Sequence, residues 1–186
     1  MPYSSTVFDT AIHRFLAIVQ PQRILDIGAG AGKLCSIARS AVPAAHIVAV
    51  EVDPEYVSRF RLVELYDQVL ECNCMDLLAE PHLKTAYDVV FFGDVIEHLR
   101  KSQGRDLLEF LIYRSAWLLV QVPIRYVQNA IEGHVSEAHI SIWTTSDFTA
   151  YDVVITRQSD NILFVVLKGY LESSVSPTDI IQQLPP

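Results

Sequence analysis

Ile24-Leu25-Asp26-Ile27-Gly28-Ala29-Gly30-Ala31-Gly32-Lys33-Leu34 is the stretch from which the fold of this chain is read. A short apolar run breaks into alternating glycines and then resumes with helix-compatible residues. That is the pattern of a buried strand, a tight turn and the first turn of a helix. Glycine at Gly28, Gly30 and Gly32 permits positive φ and lets a ligand approach without a Cβ in the way. The helix that follows presents unpaired N–H groups and a positive dipole end, which suit an anionic or strongly polar group. Open α/β sheets bind ligands at such turns, beyond the C-terminal ends of their strands.

The spacing narrows the ligand. A dinucleotide-binding turn, G-x-G-x-x-G, counted from Gly28 needs glycine at position 33. That position is Lys33, and the third glycine comes one residue early, at Gly32. Asp26, inside the strand, would repel a pyrophosphate and attract a cation. The D-x-G-x-G-x-G turn resembles the first motif of class I S-adenosylmethionine (SAM)-dependent methyltransferases. The cofactor of that family carries an ammonium, a carboxylate and a sulfonium, and no phosphate.

The whole-chain figures fit such a domain. With 186 residues, 51% apolar and 19% charged, the chain has the composition of one soluble globular domain with a single substantial core. A net charge of -8 argues against a nucleic-acid partner, since Arg100, Lys101 and Arg105 form the only tight cationic group. The N-terminus lacks a basic region followed by an apolar core, and the longest apolar stretches are too short to span a bilayer. Three cysteines, Cys35, Cys72 and Cys74, are too few for a disulfide framework. Cys72 and Cys74 lack a second pair to complete a tetrahedral metal site, so no metal is expected. Reduced thiols in a cytoplasmic protein are the expectation.

Taken in order, residues 7–19 place Phe8, Ile12, Phe15, Leu16 and Val19 on one helical stripe that ends before Pro21, a packing helix. Strands follow at 23–27, 47–50, 69–72, 87–92 and 117–122, alternating with helices at 32–41, 54–65 and 102–114. Alternation of that kind implies right-handed crossovers and a parallel sheet covered on both faces. Runs 153–156 and 162–167 are joined by a loop too short for a crossover, so they form an antiparallel hairpin. The fold class is therefore α/β: a Rossmann-like three-layer sandwich around a mostly parallel seven-stranded sheet with an antiparallel C-terminal hairpin. Residues 1–170 form the domain, and 171–186, rich in Ser, Pro and Gln, form a loosely held tail.

Acids and polar residues recur just past strand ends, and the same resemblance implies their roles. Asp26 and the backbone of Gly28, Ala29 and Gly30 take the ammonium and carboxylate of the cofactor. Glu51, beside Val52 in Glu51-Val52-Asp53-Pro54-Glu55, accepts from the ribose diol and is expected to be exposed, with no structural partner. Asp76 accepts from the adenine amino group, with Met75 on the ring; its other reading is a helix N-cap. Asp94 faces the methionine end and Val95 covers it, within Gly93-Asp94-Val95-Ile96-Glu97-His98-Leu99. The resemblance spans about residues 20–170.

Methyl transfer is an in-line displacement that needs alignment above all, worth roughly 7–11 kcal/mol. An oxygen acceptor also gains from a base, typically about 10²–10⁴-fold. His98, His134 and His139 are the candidate catalytic residues. The stretch from Gly133 to Trp143, after the fifth strand, is expected to wall the acceptor pocket, although Ile142 and Trp143 alone would also suit plain packing. No N-P-P-Y or D-P-P-Y stretch follows the fourth strand, which disfavours the nucleic-acid N-methylating branch. A small molecule, sugar or carrier-bound metabolite is the expected acceptor. Two other readings stand beside this one: a catalytically silent SAM-binding or scaffolding subunit, and another nucleoside-dependent transferase such as an aminopropyl transferase.

Overall fold

Strands apolar on both faces need cover on both sides. The computed structural model, which describes residues 4–79, 85–131 and 133–184, supplies that cover with a helical layer on each face. The strands are β1 (Arg23–Ile27), β2 (His46–Glu51), β3 (Gln68–Glu71), β4 (Tyr87–Gly93), β5 (Ser115–Pro123), β6 (Val153–Ser159) and β7 (Ile162–Lys168). They form one sheet in the order β3-β2-β1-β4-β5-β7-β6. The pairs β1–β2, β1–β4, β2–β3 and β4–β5 are parallel. Strand β7 runs antiparallel to both β5 and β6, as the short loop between them requires.

Alternation along each strand sorts side chains into two cores. Ile24, Phe91, Leu119 and Val166 join the core beneath α1 (Asp9–Val19) and α2 (Lys33–Ala41). Leu25, Phe92, Leu118 and Val165 join the opposite core with Leu107, Leu108 and Leu111 of α5 (Lys101–Tyr113). The chain order reverses between β1 and β4, so the ends of β1, β2 and β4 open a crevice on one edge of the sandwich. Among the described residues, no helix is long and apolar enough to cross a membrane.

Two expectations are corrected. The single helix over 54–65 is split into α3 (Pro54–Arg59) and α4 (Leu62–Leu65), because Arg61 adopts φ 53° between them. That turn delivers Leu62 into the core with no exposed surface. The loosely held tail is likewise replaced by α6 (Pro177–Gln183). Its serine and proline are helix-start chemistry: Pro177 opens the helix, and Ser176 and Asp179 cap it reciprocally. Ile180 and Leu184 are then buried in the core under α1. Residues 185–186 of that tail, and Glu132 ahead of the expected acceptor wall, lie outside the described residues.

Candidate active site

The crevice is lined at its floor by Ile27, Gly28 and Gly30, on one side by Glu51, Val52 and Tyr56, and on the other by Asp94, Val95 and His98. Ser136 and Glu137 close it from above. The glycine turn is shaped by the protein before any ligand arrives. Gly28 and Ala29 both donate their N–H groups to the Val50 carbonyl, at 2.9 and 3.2 Å. A Cβ on Gly28, which has φ 73°, would lie 2.2 Å from Cγ2 of Val95. Glycine at that position therefore makes room for Val95. Ala29 is buried and outside the lining.

Glu51 departs from its expected exposure and lack of partners. Its carboxylate is 5% exposed; Oε2 accepts from the Gly30 N–H at 2.8 Å and Oε1 from the Asp53 N–H at 3.0 Å. The strand end turns the side chain inward, where it braces the glycine turn against the start of α3. Burial pushes its carboxyl above the ordinary value, opposed by these backbone N–H groups. Each oxygen retains a lone pair for a further donor on the crevice side.

Asp26 lies behind the turn, outside the crevice lining. It is 2% exposed and accepts from the Tyr66 hydroxyl. Asp26 and Ile27 are neighbours in β1, and adjacent strand positions face opposite layers, so with Ile27 at the crevice Asp26 takes the α2 side. Lys33, the residue that breaks the dinucleotide spacing, donates to the Ser5 carbonyl at 2.5 Å and pairs with Asp9 at 3.0 Å. It thereby ties the segment before α1 across the strand ends, where Ser4 joins the lining.

The adenine-side expectation shifts by a few residues. Asp76 is exposed and accepts from the Asn73 N–H at 3.1 Å while Asn73 Oδ1 accepts from Met75, so Asp76 is a cap. Neither Met75 nor Asp76 lines the crevice; Cys72, Asn73 and Cys74 do. On the far wall Asp94, at φ 52°, accepts from the buried Gln121 amide at 2.9 Å, and burial raises its carboxyl. Gln121 also donates to the Ser5 carbonyl at 3.1 Å.

The three histidines separate into two places. His134 Nδ1 lies 2.6 Å from Asp53 Oδ2 and its ring rests on Tyr56, so it belongs to the Glu51 side. His98 and His139 lie edge to face, ring centroids 4.8 Å apart, and Glu97 lies with them. Trp143 is fully buried, its Nε1 donating to the Ile96 carbonyl and to Ser141 Oγ. Of the expected acceptor wall, Ser136 and Glu137 face the crevice, while Glu137 also accepts from the Tyr56 hydroxyl at 3.0 Å. Sequence reasoning missed Ser4, Tyr56 and Asn73. None sits in a motif; each reaches the crevice through the tertiary fold.

The family model of a methyltransferase domain matches residues 3–151. No curated protein matches the sequence. Among solved structures, an O-methyltransferase family protein from Burkholderia thailandensis superposes with a TM-score of 0.65 at 10% identity, covering 87% of this chain and 55% of that one. This chain thus spans about half of that protein's length. The N-terminal domain of EvdMO1, solved with S-adenosylhomocysteine (SAH) bound, gives 0.61 at 18% identity, covering 89% and 82%. The N-methyltransferase NodS from Bradyrhizobium japonicum WM9 gives 0.58 at 14% identity, covering 86% and 92%.

Proposed function

Because the chain belongs to the methyltransferase-domain family, we propose that it transfers a methyl group from SAM to an oxygen or nitrogen of a small molecule, sugar or carrier-bound metabolite. The observation that carries the reading is the crevice at the ends of β1, β2 and β4, floored by the glycine turn and walled by Glu51 and Asp94. It lies at the switch point of the sheet, where α/β folds bind ligands. The EvdMO1 domain, of similar fold, holds SAH, and similar structures include both O- and N-methyltransferases.

The residues present suit such a cofactor. Glu51, braced by two N–H groups, would accept from the ribose hydroxyls, with Val52 beside it. Asn73 and the Cys72 and Cys74 positions line the side where the adenine would lie. Asp94 and Gly30 face the part of the crevice left for the methionine moiety. When bound, SAM supplies an activated methyl on a sulfonium. The chain supplies alignment and exclusion of water, with Ser4, Ser136 and Glu137 closing over the strand ends.

Calorimetry with SAM, SAH and NAD tests this directly. Binding of SAM and SAH without NAD is the expected result. Tight NAD binding with none for SAM would overturn the reading. Transfer of a labelled methyl group to alcohol, sugar and amine acceptors then resolves the acceptor class.

A further inference from the structure

Glu97, His98 and His139 place one potential ligand atom each within 4.8 Å of one another, and His98 lines the crevice. We propose that they bind a divalent first-row transition metal ion through the Glu97 carboxylate and the Nε2 atoms of His98 and His139. Binding of the ion is independent of the methyl-transfer reading, and its effect on an acceptor rests on that reading.

Three features point to it. Glu97 is 2% exposed, and both its carboxylate oxygens lack a hydrogen-bond partner among the described residues. A buried, unpartnered carboxylate is costly unless a cation faces it.

The histidines are oriented for ligation. His98 Nδ1 sits 3.1 Å from the Ala138 carbonyl and His139 Nδ1 sits 3.0 Å from the Tyr126 carbonyl. A carbonyl accepts only, so each Nδ1 carries the proton and donates. Each Nε2 is left with its lone pair. Metal-ligating histidines almost always donate their other ring nitrogen to a carbonyl or carboxylate in this way. His139 Nε2 and Glu97 Oε1 are 3.8 Å apart, too far for a hydrogen bond and within the span of two ligands bonded at about 2.0–2.2 Å to one ion.

The backbone holds the set in register. Ile140 and Ser141 both donate N–H to the Glu97 carbonyl, at 2.8 and 3.0 Å, which locks the segment carrying His139 onto the segment carrying Glu97 and His98. Two imidazoles and one carboxylate with open positions suit Mn²⁺, Fe²⁺, Co²⁺ or Zn²⁺ in preference to Mg²⁺. His98 lines the crevice, so an ion there would border it, placed to bind and acidify an acceptor hydroxyl. Both histidines then serve as ligands in place of the base role expected from sequence.

The test titrates Mn²⁺, Co²⁺ and Zn²⁺, each alone, into the metal-stripped full chain, with visible absorption of Co²⁺ reporting nitrogen ligation. One ion per chain is expected. Glu97→Gln and His139→Asn should each weaken binding by at least about tenfold. His46→Asn, at the opposite end of β2, should leave it unchanged. Circular dichroism checks each fold, and His139→Asn carries the test alone if Glu97→Gln does not fold. No stoichiometric binding by the folded parent, or affinity unchanged in the folded variants, overturns the site. A parallel SAH titration separates the two readings: SAH binding without metal binding removes only the metal site, and the reverse removes only the cofactor assignment.

Discussion

The Tyr66 hydroxyl donates a 2.5 Å hydrogen bond to Oδ2 of Asp26, in the layer beneath the glycine turn. Burial raises the Asp26 carboxyl from 3.8 to about 7, a rise that the Tyr66 bond only partly opposes. The consequence for stability has a definite sign. Between those values the unfolded chain has released the proton while the folded chain retains it, so stability falls as pH rises through the window and levels off above it. Asp26→Asn keeps an acceptor for Tyr66 and removes the titration. Between pH 5 and pH 8 the stability difference should move in favour of the Asn variant by about 2–3 kcal/mol. Urea unfolding at the two pH values measures it, and an equal difference at both would mean Asp26 ionises normally.

Glu51 links two backbone amides, one in the glycine turn and one ahead of α3. Glu51→Ala leaves both N–H groups without that acceptor in a part-buried place, at a cost of about 1–3 kcal/mol for each buried unmade bond. Both stability and SAH affinity should fall. Glu51→Gln retains one acceptor oxygen and should lose less of each. Thermal unfolding and SAH calorimetry on the pair decide the matter: an Ala variant as stable as the parent would show that the brace contributes nothing.

Ile180, in a tail whose composition suggests looseness, has no exposed surface and packs with the core under α1. Truncating a buried isoleucine to alanine costs about 2–5 kcal/mol. Ile180→Ala should therefore lower the urea midpoint of the whole domain in one cooperative transition. An unchanged midpoint would mean that α6 detaches before the domain unfolds.

These three residues also mark where sequence reading succeeds and fails. The seven strands and the antiparallel pairing of the last two follow from local signals, because a run such as residues 87–92 can only be buried on both faces, and the loop before β7 is too short to cross over. Glu51 reads as an exposed strand-end acid, since nothing local tells whether a carboxylate points to solvent or back to an amide two residues ahead. Asp76 fits a cap and a ligand contact equally well in sequence, and the choice depends on Asn73 turning to meet it. Ile180 is hidden by its capping residues. His139 joins His98 only because backbone bonds from residues 140 and 141 to Glu97 bring distant segments together, a tertiary pairing with no sequence signature.

Trp143 is the anchor of that pairing. Its ring packs on Phe148 at 5.7 Å, carries the Lys101 ammonium 4.6 Å from its centroid, and fills the space that makes Gly104 necessary, where a Cβ would lie 2.5 Å from Cζ2. Its Nε1 donates to the Ile96 carbonyl at 3.1 Å and to Ser141 Oγ at 2.8 Å. Trp143→Phe keeps most of the apolar volume and removes the donor, leaving the buried carbonyl of Ile96 with a weaker set of partners. The loss should be about 1–3 kcal/mol in global stability, with a further effect confined to one place. Amide exchange of Ile140 and Ser141, which donate to the Glu97 carbonyl, should accelerate by more than the global change accounts for. Exchange of strand β4 amides should follow the global stability alone. If residues 140 and 141 keep parental exchange relative to β4, Trp143 fills the core without fixing the segment that carries His139.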